Sequence, residues 1–267
     1  MEYLEAVCGI ARDAGAAIMQ VYGGADFDVR MKSDDSPLTA ADLAAHEVIV
    51  AGLTQLADLP VLSEESESID WEIRRSWPRY WLVDPLDGTK EFVGRNGEFT
   101  VNIALIDGGV PVMGIVYVPV TGVLYAGTQS AEGKSAWIED ASGRRAIGTR
   151  PASDAQLTMV GSRRHGNDAL EALVDRLRGE FGSVEMTSMG SSLKICLVAA
   201  GEADLYPRLA PTCEWDTAAA QGVLEAAGGQ VVDADFQVLR YNAKADLLNP
   251  HFYVVGDTAR DWAALLG

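Results

Sequence analysis

From Phe99 to Gly127 three β-rich segments are separated by two turn sequences, Asp107-Gly108-Gly109 and Pro119-Val120-Thr121-Gly122. Turn chemistry at this short spacing predicts an antiparallel meander, and short strands are expected to extend it at Ser135–Ile138 and Arg144–Ile147. Ahead of the meander, Leu4, Cys8, Ala11, Ile18 and Tyr22 recur at helical spacing before Gly23-Gly24. Thr39 opens a second helix, with Asp42 three residues on in an imperfect capping box, running through Ala45, Ile49 and Leu53 to about Ala57. Pro60–Ser63 and Arg79–Val83 read as short buried strands.

After Pro151 the pattern changes to alternating elements. Strands are expected at Leu157–Gly161, near Val184, at Asp204–Tyr206 and at Phe252–Val255. Helices are expected at about Asn167–Arg178, at Ser191–Ala200, at Asp216–Ala227 before Gly228-Gly229, and at the end of the chain. The length of 267 residues fits one large or two fused domains. A soft boundary near residue 150 divides an N-terminal α+β half, 1–150, from a C-terminal α/β half, 151–267. Helices around an antiparallel meander make the class α+β, in layers.

Lys and Arg number 21 against 39 Asp and Glu, a net charge of −18. That balance excludes a chain-wide electrostatic grip on nucleic acid polymers or an anionic membrane. Most such carboxylates are a solvated surface; the alternative is that a few converge on metal ions. Cys8, Cys196 and Cys213 form no C-x-x-C pair. The N-terminus lacks the basic-then-apolar order of a signal peptide, and no apolar run nears the roughly 18 residues of a membrane span. A soluble protein of the reducing cytoplasm is expected.

The chemistry concentrates in Trp81-Leu82-Val83-Asp84-Pro85-Leu86-Asp87-Gly88-Thr89-Lys90. A buried strand is expected to end at Asp84, where Pro85 forces a turn that can bring Asp87 beside it. Like charges that close repel unless a cation lies between them. Hard carboxylate oxygens, with backbone amides near Gly88-Thr89 for a phosphate, suit magnesium; the alternative is an Asp-rich turn bonded to itself. Glu64 follows an apolar strand, although alone it would be a solvated loop residue. Asp216 opens a helix, although alone it would complement the helix dipole. No G-x-S-x-G suggests a serine nucleophile, and His46-Glu47 lacks the second His of H-E-x-x-H.

Asp84 to Thr89, with Trp215-Asp216 and Gly228-Gly229, resembles the paired signatures of the inositol monophosphatase superfamily, in the expected order along nearly the whole chain. Asp87 to Phe92, Ser36-Pro37-Leu38-Thr39-Ala40-Ala41-Asp42 and Gly190-Ser191-Ser192-Leu193-Lys194 most resemble its CysQ-type 3′(2′),5′-bisphosphate nucleotidases. The resemblance implies a layered αβαβα sandwich of the inositol monophosphatase and fructose-1,6-bisphosphatase type, and a lithium-sensitive phosphatase using two or three Mg2+. It implies Glu64, Asp84, Asp87, Asp216 and the Leu86 carbonyl as metal ligands, and Thr89 as orienting the attacking water. Asp34 is the matching acidic residue of the 32–37 loop, with Asp35 adjacent and a plain turn aspartate the alternative.

Gly88, Thr89, His165, Ser191, Lys194 and Arg208 would bind substrate, the last two as cations for a second phosphate. Without the resemblance, Lys194 would be a solvated helix residue, Arg208 a surface ion-pair partner and His165 a loop histidine. The implied reaction converts adenosine 3′,5′-bisphosphate to AMP and phosphate, with the 5′-phosphosulfate relative as a second substrate, in sulfur assimilation. The alternative enzyme acts on inositol or fructose phosphates, against which Lys90 and the Lys194/Arg208 pair count. A third reading, of another class, is a non-catalytic metal or nucleotide sensor. The expected partners are a small phosphorylated nucleotide and a second copy of the chain.

Overall fold

The computed structural model describes residues 2–24, 30–31, 37–66, 69–161 and 168–267. Two long helices come first, α1 (Leu4–Tyr22) and α2 (Ala40–Leu56), with the short antiparallel pair β1 (Arg30–Met31) and β2 (Pro37–Leu38) between them. The capping box of α2 is complete: the Thr39 side chain accepts from the first turn, and the Asp42 carboxylate takes the Thr39 N–H at 2.8 Å.

A seven-stranded sheet follows in sequence order: β3 (Val61–Ser63), β4 (Arg79–Asp87), β5 (Thr100–Asp107), β6 (Val110–Val118), β7 (Val123–Ser130), β8 (Gly133–Asp140) and β9 (Gly143–Ala146). Every neighbouring pair is antiparallel except β3–β4, so the expected meander is present and longer than its three central segments. Short helices α3 (Trp71–Arg74) and α4 (Thr89–Val93) flank β4. Alternate residues of β4 face opposite cores, as strand geometry requires. Trp81 and Val83 pack beneath α1 and α2, while Tyr80 and Leu82 face the centre of the molecule.

The second sheet is mixed, in the order β11–β10–β12–β14–β13: β10 (Leu157–Gly161), β11 (Val184–Ser188), β12 (Leu205–Arg208), β13 (Gln230–Asp233) and β14 (Phe252–Val255). Helices α5 (Asp168–Arg178) and α8 (Trp262–Leu266) cover its outer face through Leu173, Leu177, Trp262 and Leu266. Between the sheets lie α6 (Leu193–Ala199) and α7 (Glu214–Ala227). The layers therefore read α1/α2, large sheet, α6/α7, small sheet, α5/α8: the αβαβα sandwich that the resemblance implies. Helix α7 lies almost on the large sheet, because Gly114 and Gly127 present bare backbone to it. A Cβ on Gly114 would stand 1.9 Å from the Ala219 carbonyl oxygen.

Four local expectations change. First, β4 does not turn at Asp84 but runs on to Asp87. Asp84 pairs with Asn102 and Asp87 with Thr100, so three steps on β4 match two on β5 and the extra residue is a bulge. Pro85, which has no N–H to donate, falls within it. Second, α6 begins at Leu193, because Ser191 takes a left-handed φ of 46° that no helix continues from. Third, β12 extends through Pro207 to Arg208 and α7 begins two residues earlier than expected. Fourth, β1, β2, α3 and β13 have no counterpart in the sequence reading.

Candidate metal and phosphate site

The β4 bulge brings two acidic residues to one end of the large sheet. Beside it, β3 runs parallel in register, with Ser63 opposite Val83, and the Glu64 N–H donates to the Val83 carbonyl at 3.1 Å. This places Glu64 next to Asp84. From the layer below, the first turn of α7 supplies Asp216, whose Oδ2 accepts the Cys213 N–H at 2.7 Å. Ligand oxygens of Glu64, Asp84 and Asp216 all lie within 4.8 Å of one another.

Such a cluster is electrostatically expensive without a cation. Burial and then the charges of Glu64, Asp87, Asp216 and Asp42 push the Asp84 carboxyl well above the ordinary range. Burial, followed by Asp87 and Glu64, pushes Asp216 up to about 8. Leu86 donates its N–H to Asp84 Oδ1 at 3.0 Å, so the bulge backbone orients that carboxylate. Hard, convergent oxygen donors in a buried setting suit a divalent ion such as magnesium.

The remaining predicted residues divide clearly. Asp87 lies outside the trio and is held by Ser192, through bonds to one oxygen from its N–H (2.6 Å) and its O–H (2.5 Å). Gly88 caps α4 in the left-handed region at φ 96°, and its missing side chain leaves room for the Glu98 carbonyl. Thr89 Oγ1 stands 3.4 Å from both Asp42 Oδ1 and the Leu86 carbonyl. Asp34 and His165 fall outside the described residues.

A cavity of about 140 Å³ adjoins the carboxylates, and Gly88, Lys90, Ser191, Lys194, Tyr206 and Arg208 line it. Lys194 is not a solvated helix residue: only 6% of it is exposed. Its ammonium donates to the Ser191 carbonyl at 2.5 Å and sits 5.5 Å over the Tyr206 ring. Burial, opposed by Asp87, lowers its pKa to about 8. Arg208 donates to the carbonyls of Ala210 and Pro211 at 3.1 and 2.8 Å, which fixes its guanidinium beside the cavity rather than in a surface ion pair.

Three residues near this chemistry escape the sequence reading. Asp42 reads there as a capping residue and the end of a family motif, with no role at the site; its Oδ2 does cap α2, accepting from Thr39 Oγ1 at 2.6 Å, while Oδ1 faces Thr89. Ser192 adjoins the expected Ser191 but reaches Asp87 instead, and Asn102 reaches Ser192 from β5 at 2.6 Å. For Ser192 the only signal was its place in Gly190-Ser191-Ser192; Asn102 gave none, being a polar residue within an apolar strand.

Over 253 residues the chain is 53% identical to the 3′(2′),5′-bisphosphate nucleotidase CysQ of Salmonella typhimurium, covering 94% of this chain and 98% of that protein. The crystal structure of CysQ from Bacteroides thetaiotaomicron superposes with a TM-score of 0.84 at 44% identity, covering 94% of this chain and 96% of that one. An inositol monophosphatase from Zymomonas mobilis gives a TM-score of 0.74 at 26% identity, covering 99% and 98%. Residues 1–264 match the model of the inositol monophosphatase family, and the chain belongs to that family.

Proposed function

We propose that the chain is a magnesium-dependent 3′(2′),5′-bisphosphate nucleotidase that converts adenosine 3′,5′-bisphosphate to AMP and phosphate. Its 5′-phosphosulfate relative is a second substrate, which gives the enzyme a place in sulfur assimilation in the cytoplasm. The observation that carries this reading is the buried Lys194 beside Arg208, in a cavity that Asp87 and Asp216 also line. A monophosphate has one phosphate to place among the carboxylates; a bisphosphate has a second, and two cations stand ready for it. The 53% identity to a protein named as this nucleotidase supports the same assignment.

Glu64, Asp84 and Asp216, with Asp87 and the Leu86 carbonyl, would hold two or three Mg2+. The ions supply Lewis-acid charge on phosphate oxygens and a lowered pKa for water. The chain's own groups do the placing. Thr89 Oγ1 lies 3.4 Å from two acceptors, Asp42 Oδ1 and the Leu86 carbonyl, and a proton given to either leaves its lone pairs to accept from the attacking water. Gly88 keeps backbone bare beside the cavity, so a phosphate can approach closely. Lys194 and Arg208 clamp the phosphate that does not react, and Ser191, whose Oγ is buried with no partner among the described residues, offers a further polar contact. Asp34 and His165 join this assignment on the family pattern alone. No covalent nucleophile is needed, because water attacks phosphorus directly.

The test is phosphate release from adenosine 3′,5′-bisphosphate with and without millimolar magnesium. Turnover that depends on the ion is expected. No release at any magnesium concentration, from this substrate or from inositol and fructose phosphates, would contradict an enzymatic role and favour a sensor.

A further inference from the structure

Asp87 is held by the protein at one side-chain oxygen, although it stands apart from the trio. Its Oδ2 receives both the N–H and the O–H of Ser192, at 2.6 and 2.5 Å. Asn102 Nδ2 donates to Ser192 Oγ at 2.6 Å and lies 3.5 Å from the same Asp87 oxygen. A serine hydroxyl has one proton, and of its two acceptors the Asp87 carboxylate at 2.5 Å is nearer than the Asp216 carbonyl at 3.3 Å, so the relay runs from amide to hydroxyl and from hydroxyl to carboxylate. Turning the amide over would draw that proton away from Asp87. Both partners are buried, Ser192 at 3% and Asn102 at 1% exposure. Asn102 also faces Asp84 across the β4–β5 ladder, so the relay stands on the same strand pair as the bulge. Among the described residues no hydrogen bond reaches Asp87 Oδ1.

We infer that Ser192, steered by Asn102, is a positioning residue that occupies one oxygen of Asp87 and leaves the other for the metal centre. The inference rests on the proposed metal reading. Ser192 lies between Ser191 and Lys194, which line the cavity. The turn that grips the substrate thus also fixes a metal carboxylate.

The experiment is Mn2+ binding to the full chain without nucleotide, read as free-ion electron paramagnetic resonance, in the wild type and in Ser192→Ala, Ser192→Thr, Asn102→Ala and Asp84→Asn. Ser192→Ala is expected to weaken Mn2+ about tenfold, the usual effect of losing an outer partner of a ligand. Asn102→Ala should weaken it less, Ser192→Thr should restore it, and KM for Mg2+ should rise in step with each loss. Wild-type affinity in Ser192→Ala and Asn102→Ala, with Asp84→Asn impaired, overturns the relay and leaves the metal centre standing. Wild-type affinity in all variants, Asp84→Asn included, overturns both. Should Ser192→Ala not fold, Asn102→Ala decides by the same criterion.

Discussion

Burial sets Asp84 against its own charge. Its carboxyl binds a proton more tightly in the folded chain than in the unfolded one, because desolvation and the carboxylates around it disfavour ionisation. In the metal-free protein the contribution of Asp84 to stability is therefore greatest below the ordinary carboxylate range and is lost as pH rises toward the raised folded value. Asp84→Asn removes this penalty together with a metal charge. Calorimetry in EDTA at neutral pH should find the variant melting at or above the wild type, and magnesium should raise the Tm of the wild type alone. Turnover should fall roughly 100- to 1,000-fold or further, the scale of a lost electrostatic partner in a catalytic site.

Lys194 makes a second case at this scale. Its pKa of about 8 means the free enzyme loses this cation as pH rises past that value. The kcat/KM for adenosine 3′,5′-bisphosphate should fall along that limb. Lys194→Arg, always charged, should flatten it, and an unchanged limb in the variant would remove Lys194 from phosphate binding. Lys194→Ala should raise KM for the bisphosphate about 10- to 100-fold, as expected for a charge-assisted bond, and for inositol monophosphate much less.

At the scale of elements, α7 and the β4 bulge do most to build the site. Helix α7 reaches the large sheet over Gly114, so Gly114→Ala forces Cβ into the Ala219 carbonyl. Urea unfolding should show a loss of about 3 kcal/mol, the upper range for overpacking, and Mg2+ affinity should drop because Asp216 rides on the displaced helix. The meander was legible from its turns, and both long helices from apolar spacing and a cap. The bulge was not: Asp84-Pro85 carries a turn signal, and only pairing with β5 turns it into one extra residue in a continuing strand. Nor was β13, whose four residues follow directly on the Gly228-Gly229 that stops α7. The acidic residues were legible as sitting at element edges, but their mutual distances depend on β3 lying parallel to β4 and on α7 lying beneath. The second oxygen of Asp42 and the burial of Lys194 were hidden for a shared reason, that an ordinary role already accounted for each residue.

Across the whole molecule the two sheets share the α6/α7 layer, and α7 packs against the large sheet from the other half of the chain. We propose that the halves 1–150 and 151–267 unfold together, so calorimetry should resolve one transition rather than two. Two separable transitions would show that the interface contributes little. None of the described helices is long and apolar enough to cross a membrane. The net charge of −18 opposes binding of long polyanions, while under the proposed function the carboxylate centre, with Lys194 and Arg208, admits a small one. The most direct measurement is kcat/KM with magnesium, side by side, for adenosine 3′,5′-bisphosphate, inositol 1-phosphate and fructose 1,6-bisphosphate. It should be highest for the nucleotide by at least about tenfold, the margin one charge-assisted contact can provide; equal values, or a preference for either of the other two, would contradict the assignment.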